Sequence, residues 1–309
     1  MKRIEARVPA GISSFFAICD TDSSGKPLQD PLKIGAIGGG FKVLPPVKTA
    51  VEVEEADKTS IRIYVNGKPE KASTSLRVAE KIFSRIKENF NVTVYHEISE
   101  PIGAGFGTSG AGALSLAVAL SRAVGLNITL LEAAQIAHVA EVEAKTGLGT
   151  VGGLLSPASC VITRKPGAPG IGLVDGITVE SEVTLIAVYF GPILTKHVLT
   201  DPSVRKRVNS IGWSTLHSIL KNPSLECFLS KSMEFARESG FLTPEVERVV
   251  EFLRGKEGVI GYAQNMLGNC LHIVVEKNRS EDLIYLLKEK FKKAKVLELK
   301  PTTLTVELK

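Results

Sequence analysis

A glycine-rich segment, Pro101–Gly112, carries the residues whose types and spacing could do chemistry. Its sequence is PIGAGFGTSGAG, with glycines at positions 103, 105 and 107. Glycine lets the backbone turn its N–H groups toward one point with no Cβ in the way. The helix predicted to follow adds its unpaired N-terminal donors. This pattern predicts a site for a polyanion such as the phosphates of ATP, and Thr108 and Ser109 add hydroxyls where Mg²⁺ would bridge phosphate oxygens.

Other glycine-rich motifs fit this segment less well. A Walker A loop ends in Gly-Lys-Ser/Thr, which the sequence lacks. A dinucleotide-binding fingerprint requires an acid about 20 residues on, yet Ala123–Asn127 contains none. A nucleophile elbow would resemble Gly107–Ala111 and make Ser109 an acyl-transfer nucleophile. An elbow turns directly from strand to helix, whereas roughly half a dozen loop residues follow the strand predicted at Val92–Ile98. The alternative to a phosphate site is that the segment binds no ligand and that its glycines only permit tight packing of a buried helix.

Two carboxylates, Glu141 and Glu143, stand at the end of a predicted helix, just before the glycine-rich stretch Thr146–Gly153. One of them could hold Mg²⁺ opposite Ser109. Glu141 and Lys145 are also four residues apart, so a surface ion pair is the competing explanation. The spacing does not choose between the two acids.

Two further segments combine glycines with polar residues. Asp30–Gly40 has three consecutive glycines after an Asp-Pro turn, which suggests close approach of the backbone to a ligand. Lys33 could meet a substrate carboxylate or phosphate there, although a β-hairpin without a ligand fits the pattern as well. Asn265–Asn269 could line the phosphate site from the second half of the chain. Four histidines are interpreted as core or surface residues without chemistry: His96, His138, His217 and His272.

The elements that must position these residues are a mixture of strands and helices, which indicates an α+β fold. Thr129 and Glu132 form a predicted capping box, and Asp201-Pro202 and Thr243-Pro244 are helix-start signals. Alternating or continuous apolar runs predict strands at Arg3–Val8, Ala50–Val53, Ile61–Val65, Val92–Ile98, Ala158–Thr163, Val183–Phe190, Cys270–Val275 and Thr303–Glu307. Helices are predicted at Leu76–Phe90, Ala111–Val124, Thr129–Ala144, Pro202–Leu220, Leu225–Ser239, Pro244–Arg254 and Glu281–Lys292.

Length and composition narrow the class of protein. A chain of 309 residues exceeds what one hydrophobic core usually supports, so two packed domains are expected, with a boundary near residues 155–180. A net charge of +5 without a Lys/Arg tract argues against a nucleic-acid partner. Four scattered cysteines without CxxC spacing disfavour zinc and fit a reducing compartment. Because no run reaches the roughly 18 apolar residues of a membrane helix, a cytoplasmic protein with no membrane partner is expected.

Four segments carry a resemblance to a known family. Pro101–Gly112 is similar to the second motif of the GHMP kinase superfamily (galactokinase, homoserine kinase, mevalonate kinase, phosphomevalonate kinase), Pro-x-x-x-Gly-Leu-Gly-Ser-Ser-Ala. Phe106, Thr108 and Gly110 replace its Leu, first Ser and Ala. Together with Val8–Phe16, Asp30–Gly35 and Glu141–Val151, the segment resembles the archaeal pantoate kinases.

That resemblance implies a two-domain fold. A ribosomal S5 domain 2-like N-terminal domain would occupy residues 1–165, a ferredoxin-like C-terminal domain would occupy residues 166–309, and ATP would bind between them. It further implies ATP- and Mg²⁺-dependent phosphorylation of pantoate to 4-phosphopantoate, a step of archaeal coenzyme A biosynthesis. The oligomeric state stays open, with a homodimer as one option.

The resemblance also assigns residues. Ser109 and Glu143 would be catalytic, Ser109 with Glu143 or Glu141 would approach the metal, and Lys33 and Ser13 would bind the acceptor. The phosphate cradle would consist of Pro101, Gly103, Ala104, Gly105, Phe106, Gly107, Thr108, Ser109 and Gly110.

Two departures from the superfamily pattern leave alternatives open. Several relatives place a catalytic Asp where this chain has Thr150, and some place a Lys where Gly11 stands. Phosphoryl transfer tolerates the loss of a base, because positioning and charge neutralisation do most of the catalysis. The alternatives are a kinase for another small alcohol, such as mevalonate or homoserine, and a non-catalytic module that binds nucleotides or anions.

Overall fold

The computed structural model describes residues 1–179, 182–192 and 201–309, and these residues form twelve β-strands and eight α-helices. The strands are β1 Lys2–Cys19, β2 Gly35–Glu55, β3 Ser60–Val65, β4 Lys68–Pro69, β5 Phe90–Glu97, β6 Cys160–Lys165, β7 Leu173–Ile177, β8 Val183–Gly191, β9 Val259–Gln264, β10 Asn269–Glu276, β11 Lys295–Pro301 and β12 Glu307–Leu308. The helices are α1 Ser73–Phe83, α2 Thr108–Ala123, α3 Leu130–Ala144, α4 Thr150–Leu154, α5 Pro202–Lys221, α6 Leu225–Ser239, α7 Pro244–Leu253 and α8 Ser280–Lys290.

One mixed sheet runs through both halves of the chain in the order β4-β3-β5-β2-β11-β8-β10-β9. β1 and β2 form a long antiparallel hairpin, paired from Lys2↔Val53 to Cys19↔Gly35. β6 and β12 add to this hairpin, and β3 pairs with β5 in parallel. A short contact between β2 and β11, at Val43↔Pro301, joins the two halves of the sheet.

The three glycines at 38–40 lie on β2 and are packed by protein atoms. A Cβ on Gly39 would stand 2.7 Å from the Phe228 ring, and one on Gly40 would collide with the carbonyl of Ile12. The glycines therefore permit β1 and α6 to approach the strand. Of the two interpretations that the sequence left open, the structure therefore favours the β-hairpin, because protein atoms fill the space beside these glycines.

Helices cover each half of the sheet. α2 packs against β1 and β2 on one side and against α1 and α3 on the other, so that thirteen of its sixteen residues are buried. The helix predicted at Ala111–Val124 is therefore present, and most of its surface is buried. α5 and α6 pack on the inner end of β1, where Phe15, Phe41 and Phe235 join residues of the second half in one core.

Most element predictions are confirmed, and two are corrected. The Thr129–Glu132 capping box is present, and Asp201 and Thr243 cap α5 and α7. The helix predicted at Leu76–Phe90 ends at Phe83, and Phe90 instead begins β5. The strand predicted at Thr303–Glu307 does not form there: β11 ends at Pro301, and the residues that follow turn to bring β12, at Glu307–Leu308, beside β1.

We propose that the two domains divide the chain differently from a cut at residue 165. β7 pairs with β6, and β6 with β2, so the first lobe extends to Ile177. The last strand, β12, also belongs to this lobe because it pairs with Ala6 and Arg7 of β1. In the described part of the chain, no helix combines the length and apolar character needed to cross a membrane.

Candidate active site

The loop between β5 and α2 is held by three consecutive backbone carbonyls. Ala104 O accepts a hydrogen bond from Asn265 Nδ2 at 3.1 Å. Gly105 O accepts from the N–H of Ser13 at 3.2 Å, and Phe106 O accepts from the N–H of Gly11 at 2.9 Å. In a trans peptide the C=O and the following N–H point in opposite directions. The N–H of Gly105 is therefore turned away from Asn265, and those of Phe106 and Gly107 are turned away from β1, toward the outer face of the loop.

These N–H groups remain available for a ligand. Within the described residues, no N–H from position 102 to position 110 donates a hydrogen bond to the protein. α2 starts at Thr108 without a side-chain cap, and its first internal bond is from Ala111 N to Gly107 O. The helix start thus adds free donors and a positive dipole end to the loop. This geometry suits a polyanion.

Glycine is required where the loop is crowded. Gly105 has a φ of +77°, and a Cβ there would stand 2.6 Å from the carbonyl of Met266. Gly103 has a similar φ of +78° but faces open space. The loop therefore lies on the surface at its start and is wedged between β1 and the 265–268 turn at its centre. Two surface clefts, of about 260 and 440 Å³, are lined by residues outside this loop.

Ser109 and Glu141 meet at the start of α2. The Ser109 hydroxyl donates to Glu141 Oε1 at 2.6 Å. Glu141 is 1% exposed, and burial raises the pKa of its carboxyl to about 7, against the lowering effect of the Ser109 hydrogen bond. A buried carboxylate paired with one hydroxyl is an incomplete environment for a negative charge. A cation beside this pair would complete it.

The structure does not bring Glu143 to the loop. Its carboxylate accepts from Lys81 Nζ of α1 at 2.7 Å, on the other side of α3. Positions two apart on a helix differ by about 200° in direction, so only one of the two acids can face α2. The ion pair of Glu141 with Lys145, the competing explanation, is not formed, because Glu141 is buried and Lys145 ends the helix with a φ of +56°.

Thr150 and Gly11, the two positions that depart from the superfamily pattern, lie together beside the loop. A Cβ on Gly107 would stand 2.7 Å from Thr150 Cγ2, and one on Gly110 would stand 2.9 Å from the same methyl. A Cβ on Gly11 would be 4.0 Å from it. The residue that replaces an acid is thus adjacent to the start of α2 and presents a methyl group to it.

The two candidate acceptor residues lie in different surroundings. Ser13 stands at an irregularity of β1, where its N–H bonds Gly105 O and its carbonyl accepts from Met266 N at 2.7 Å. Lys33 is exposed in the turn between β1 and β2, and its ammonium forms no ion pair within the described residues. Ser13 therefore touches the loop directly, whereas Lys33 does not.

One group of polar residues was missed from the sequence. Ser14, Asn265 and His272 are each fully buried and connect in a chain of hydrogen bonds that ends on Ala104 O. The signal for it was a histidine in the middle of the apolar strand Cys270–Val275, seven residues after an asparagine. The acyl-transfer interpretation of Ser109 loses its basis, because the described partner of its hydroxyl is a carboxylate and not a histidine.

A glycine loop with outward amides, followed by a buried helix and backed by a second lobe, defines the class of the GHMP kinases. Residues 73–161 match the family described as GHMP kinases N terminal domain. Over 284 residues the chain is 34% identical to the pantoate kinase of Methanocaldococcus jannaschii, covering 91% of this chain and 96% of that protein. It is 33% identical over 298 residues to the pantoate kinase of Thermococcus kodakarensis, covering 93% and 92%.

A solved structure agrees with these relatives. A phosphotransferase related to the CoA biosynthesis pathway superposes with a TM-score of 0.88 at 29% identity, covering 100% of this chain and 99% of that one. The chain belongs to the GHMP kinase superfamily and, within it, to the family of the pantoate kinases. The α+β, two-domain fold expected from the motifs is confirmed.

Proposed function

We propose that this protein transfers the γ-phosphoryl group of ATP to pantoate and forms 4-phosphopantoate, a step of coenzyme A biosynthesis. The observation that carries the proposal is the set of three anchored carbonyls, Ala104, Gly105 and Phe106, which turn the following amides outward at the start of α2. The relatives named as pantoate kinases, aligned over nine-tenths of the chain, support the choice of acceptor. The four cysteines are all free thiols, which supports a cytoplasmic location.

The residues at the helix start fit Mg²⁺. Ser109 offers a hydroxyl oxygen and Glu141 a carboxylate, and both are hard oxygen ligands. Within the described residues no group of three or more His, Cys, Asp or Glu could hold a metal alone, so the ion would share its remaining positions with phosphate oxygens and water. When bound, Mg²⁺ supplies charge neutralisation for the phosphates. We assign the carboxylate ligand to Glu141 in place of Glu143, whose side chain is engaged by Lys81.

The chain's own residues then account for the transfer by positioning. The amides of the loop and of the α2 start hold the β- and γ-phosphates as charge moves onto the leaving oxygen. The oxygen of the pantoate 4-hydroxyl forms a bond to the γ-phosphorus, the bond to ADP breaks, and the hydroxyl proton leaves to solvent or to phosphate. Thr150 offers no base.

Because positioning rather than a base carries the transfer in this proposal, a Thr150→Asp variant should not raise turnover. A gain of orders of magnitude would indicate that a base had been missing.

Ser13 and Lys33 are proposed on the acceptor side. Ser13 lies beside Gly105, next to the amides that would hold the phosphates. The Lys33 ammonium lacks a carboxylate partner in the described residues, which leaves it free to pair with the pantoate carboxylate. Replacing Lys33 with Met should raise the KM for pantoate and leave the KM for ATP unchanged.

The experiment is an incubation of purified protein with ATP, Mg²⁺ and pantoate, followed by mass detection of phosphopantoate. Mevalonate and homoserine serve as competing acceptors in parallel reactions. If a phosphorylated product forms only with mevalonate or only with homoserine, that compound replaces pantoate as the proposed acceptor. The methyl group of Thr150 at the place of a catalytic acid favours one further candidate, a non-catalytic nucleotide-binding module. Binding of ATP without phosphorylation of any acceptor would support that candidate.

A further inference from the structure

The first of the three anchored carbonyls depends on a side chain, whereas the other two depend on backbone. Gly105 O and Phe106 O are held by N–H groups of β1. Ala104 O is held by Asn265 Nδ2 from the turn before β10, 161 positions along the chain. The peptide between Ala104 and Gly105 therefore owes its orientation to one asparagine in the second lobe. Its N–H, on Gly105, is one of the donors offered to phosphate.

Asn265 is oriented in turn by His272. Because Ala104 O can only accept, the Asn265 atom that faces it must be the amide nitrogen. The Asn265 oxygen then faces His272 Nδ1 at 2.9 Å, which must carry the proton. His272 Nε2 is left as an acceptor, 3.1 Å from the Ser14 hydroxyl. The bonds run in one direction, from Ser14 through His272 and Asn265 to Ala104.

Burial keeps this chain of bonds in one protonation state. Ser14, Asn265 and His272 all have 0% exposure. Burial lowers the pKa of His272 to about 3, so that its ring is neutral under ordinary conditions. A neutral histidine with one proton must choose a single tautomer. The Asn265 oxygen can only accept and therefore requires the Nδ1–H tautomer, and the Ser14 hydroxyl can donate to the Nε2 that this tautomer leaves bare.

We propose that Asn265 and His272 are positioning residues for the nucleotide, which hold the Gly105 N–H toward the phosphates by fixing the Ala104 carbonyl inward. This rests on the proposed phosphate-binding function of the loop. The peptide is followed by Gly105, whose φ of +77° reflects the conformational freedom of a residue without a side chain, so this peptide can turn more readily than most. Without Asn265 the buried carbonyl would lose its donor and turn toward solvent. The Gly105 N–H would then turn inward.

The test uses three replacements of His272 and measures the Kd of a non-hydrolysable ATP analogue with Mg²⁺. His272→Asn keeps a donor nitrogen on Cγ, where Nδ1 stood, whereas His272→Gln places its polar atoms near Nε2, and His272→Leu keeps neither. Affinity should be retained in the Asn variant. It should fall about 10- to 100-fold in the Gln and Leu variants and in Asn265→Leu, the scale of one hydrogen bond to a charged group. The KM for the acceptor should be unchanged.

His96 provides the matched control. It is also a buried histidine whose pKa burial lowers, to about 4, and its nitrogens bond the hydroxyls of Thr49 and Ser75, away from the loop. His96→Leu should lose stability without losing nucleotide affinity. Equal loss of affinity in His96→Leu and His272→Leu would overturn the proposal, as would retention in the Gln variant with loss in the Asn variant.

A measurement on the unaltered protein keeps the test decisive if a variant fails to fold. Nitrogen-15 NMR of the histidine rings should show His272 neutral and protonated on Nδ1 across the neutral pH range, and an Nε2–H tautomer would overturn the proposal. Failure of the proposed function would look different, because the unaltered protein would then bind the nucleotide and leave pantoate unphosphorylated. The order of the variants in nucleotide affinity would still decide the role of Asn265.

Discussion

At the scale of single residues, the pair Ser109–Glu141 concentrates the chemistry. The hydroxyl–carboxylate contact of 2.6 Å joins the start of α2 to the end of α3. Removing the hydroxyl in Ser109→Ala, or the charge in Glu141→Gln, should lower kcat by about 10- to 1000-fold, the scale of a lost charge-stabilising contact. Steady-state kinetics with ATP and pantoate measure this.

Glu143 is the matched control for Glu141. It lies two residues away on the same helix but pairs with Lys81 at the surface. Because an exposed ion pair contributes little to stability, Glu143→Gln should leave kcat within a few-fold of the unaltered enzyme. A large loss in Glu143→Gln with a small one in Glu141→Gln would reverse the assignment.

Glu100, immediately before the loop, has a second unusual carboxyl. It is 4% exposed, and neither oxygen has a hydrogen-bond partner in the described residues. Burial raises its pKa from 4.5 to about 7, with smaller lowering effects from its own backbone and from Lys295. The folded state therefore holds this proton more tightly than the unfolded chain. The resulting stability is full below about pH 4.5 and is lost as the pH rises through 7.

This predicts a pH-dependent difference between two proteins. Glu100→Gln should gain stability relative to the unaltered protein as the pH rises through that window, by an amount on the order of 3 kcal/mol at most. Denaturant unfolding at several pH values measures it, and Glu141 contributes equally to both proteins. Glu97→Gln, an exposed change at the neighbouring strand end, is measured at the same pH values as the control. A flat difference for Glu100→Gln would contradict the assignment.

At the scale of elements, the loop between β5 and α2 is packed against β1, the 265–268 turn and Thr150 of α4. A comparison of Gly103 with Gly105 distinguishes backbone strain from crowding, because both residues have a φ near +77° but only Gly105 has other residues packed against it. Gly103→Ala should cost only the strain of a left-handed residue, about 1–2 kcal/mol. Gly105→Ala should add a clash with the Met266 carbonyl and displace the loop.

The expected result is a split in nucleotide affinity. Alanine keeps the backbone N–H, so both variants retain the same donors. The Kd for the ATP analogue should rise at least about tenfold more in Gly105→Ala than in Gly103→Ala, the scale of one lost hydrogen bond to phosphate. Equal affinities of the two variants in titration calorimetry would mean that the packing of the loop does not determine the orientation of its N–H groups.

At the scale of the whole molecule, a buried lysine ties the end of the chain to the first lobe. Lys42 on β2 is 1% exposed, and its ammonium donates to the carbonyls of Ser156, Thr303 and Leu304, the last at 2.7 Å. These bonds fix the segment that leads from β11 of the second lobe back to β12. β2 also pairs with β11 of the second lobe. The Lys42 hydrogen bonds and this strand pairing therefore form one junction between the two lobes.

Removal of this ammonium should loosen the junction. Lys42→Met leaves buried carbonyls without a donor, which should lower the free energy of unfolding by about 2–4 kcal/mol and open the last ten residues to proteolysis. Lys48→Met, an exposed change on the same strand, should stay within about 0.5 kcal/mol. Urea unfolding measures the stability of both variants, and limited proteolysis measures how fast the C-terminal segment is cleaved. An unchanged cleavage rate in Lys42→Met would show that the Lys42 hydrogen bonds do not hold this segment in place.

The sequence by itself determined the features that arise within a short stretch of chain. The glycine spacing of 103–107 predicted a loop with accessible amides, because φ and steric freedom are local properties. Thr129, Asp201 and Thr243 predicted helix starts, because a cap acts on backbone groups two or three residues away. The family motifs are also short stretches of sequence, and their resemblance to known kinases predicted the fold and the class of enzyme.

Only the tertiary structure decided how those stretches face one another. Glu141 and Glu143 are equivalent in a sequence pattern, and the packing of α3 against α2 and α1 assigns one to Ser109 and the other to Lys81. The same holds for Asn265, whose contact with Ala104 spans 161 positions. Such contacts depend on how segments that are distant in sequence pack against one another, and no local spacing encodes that packing.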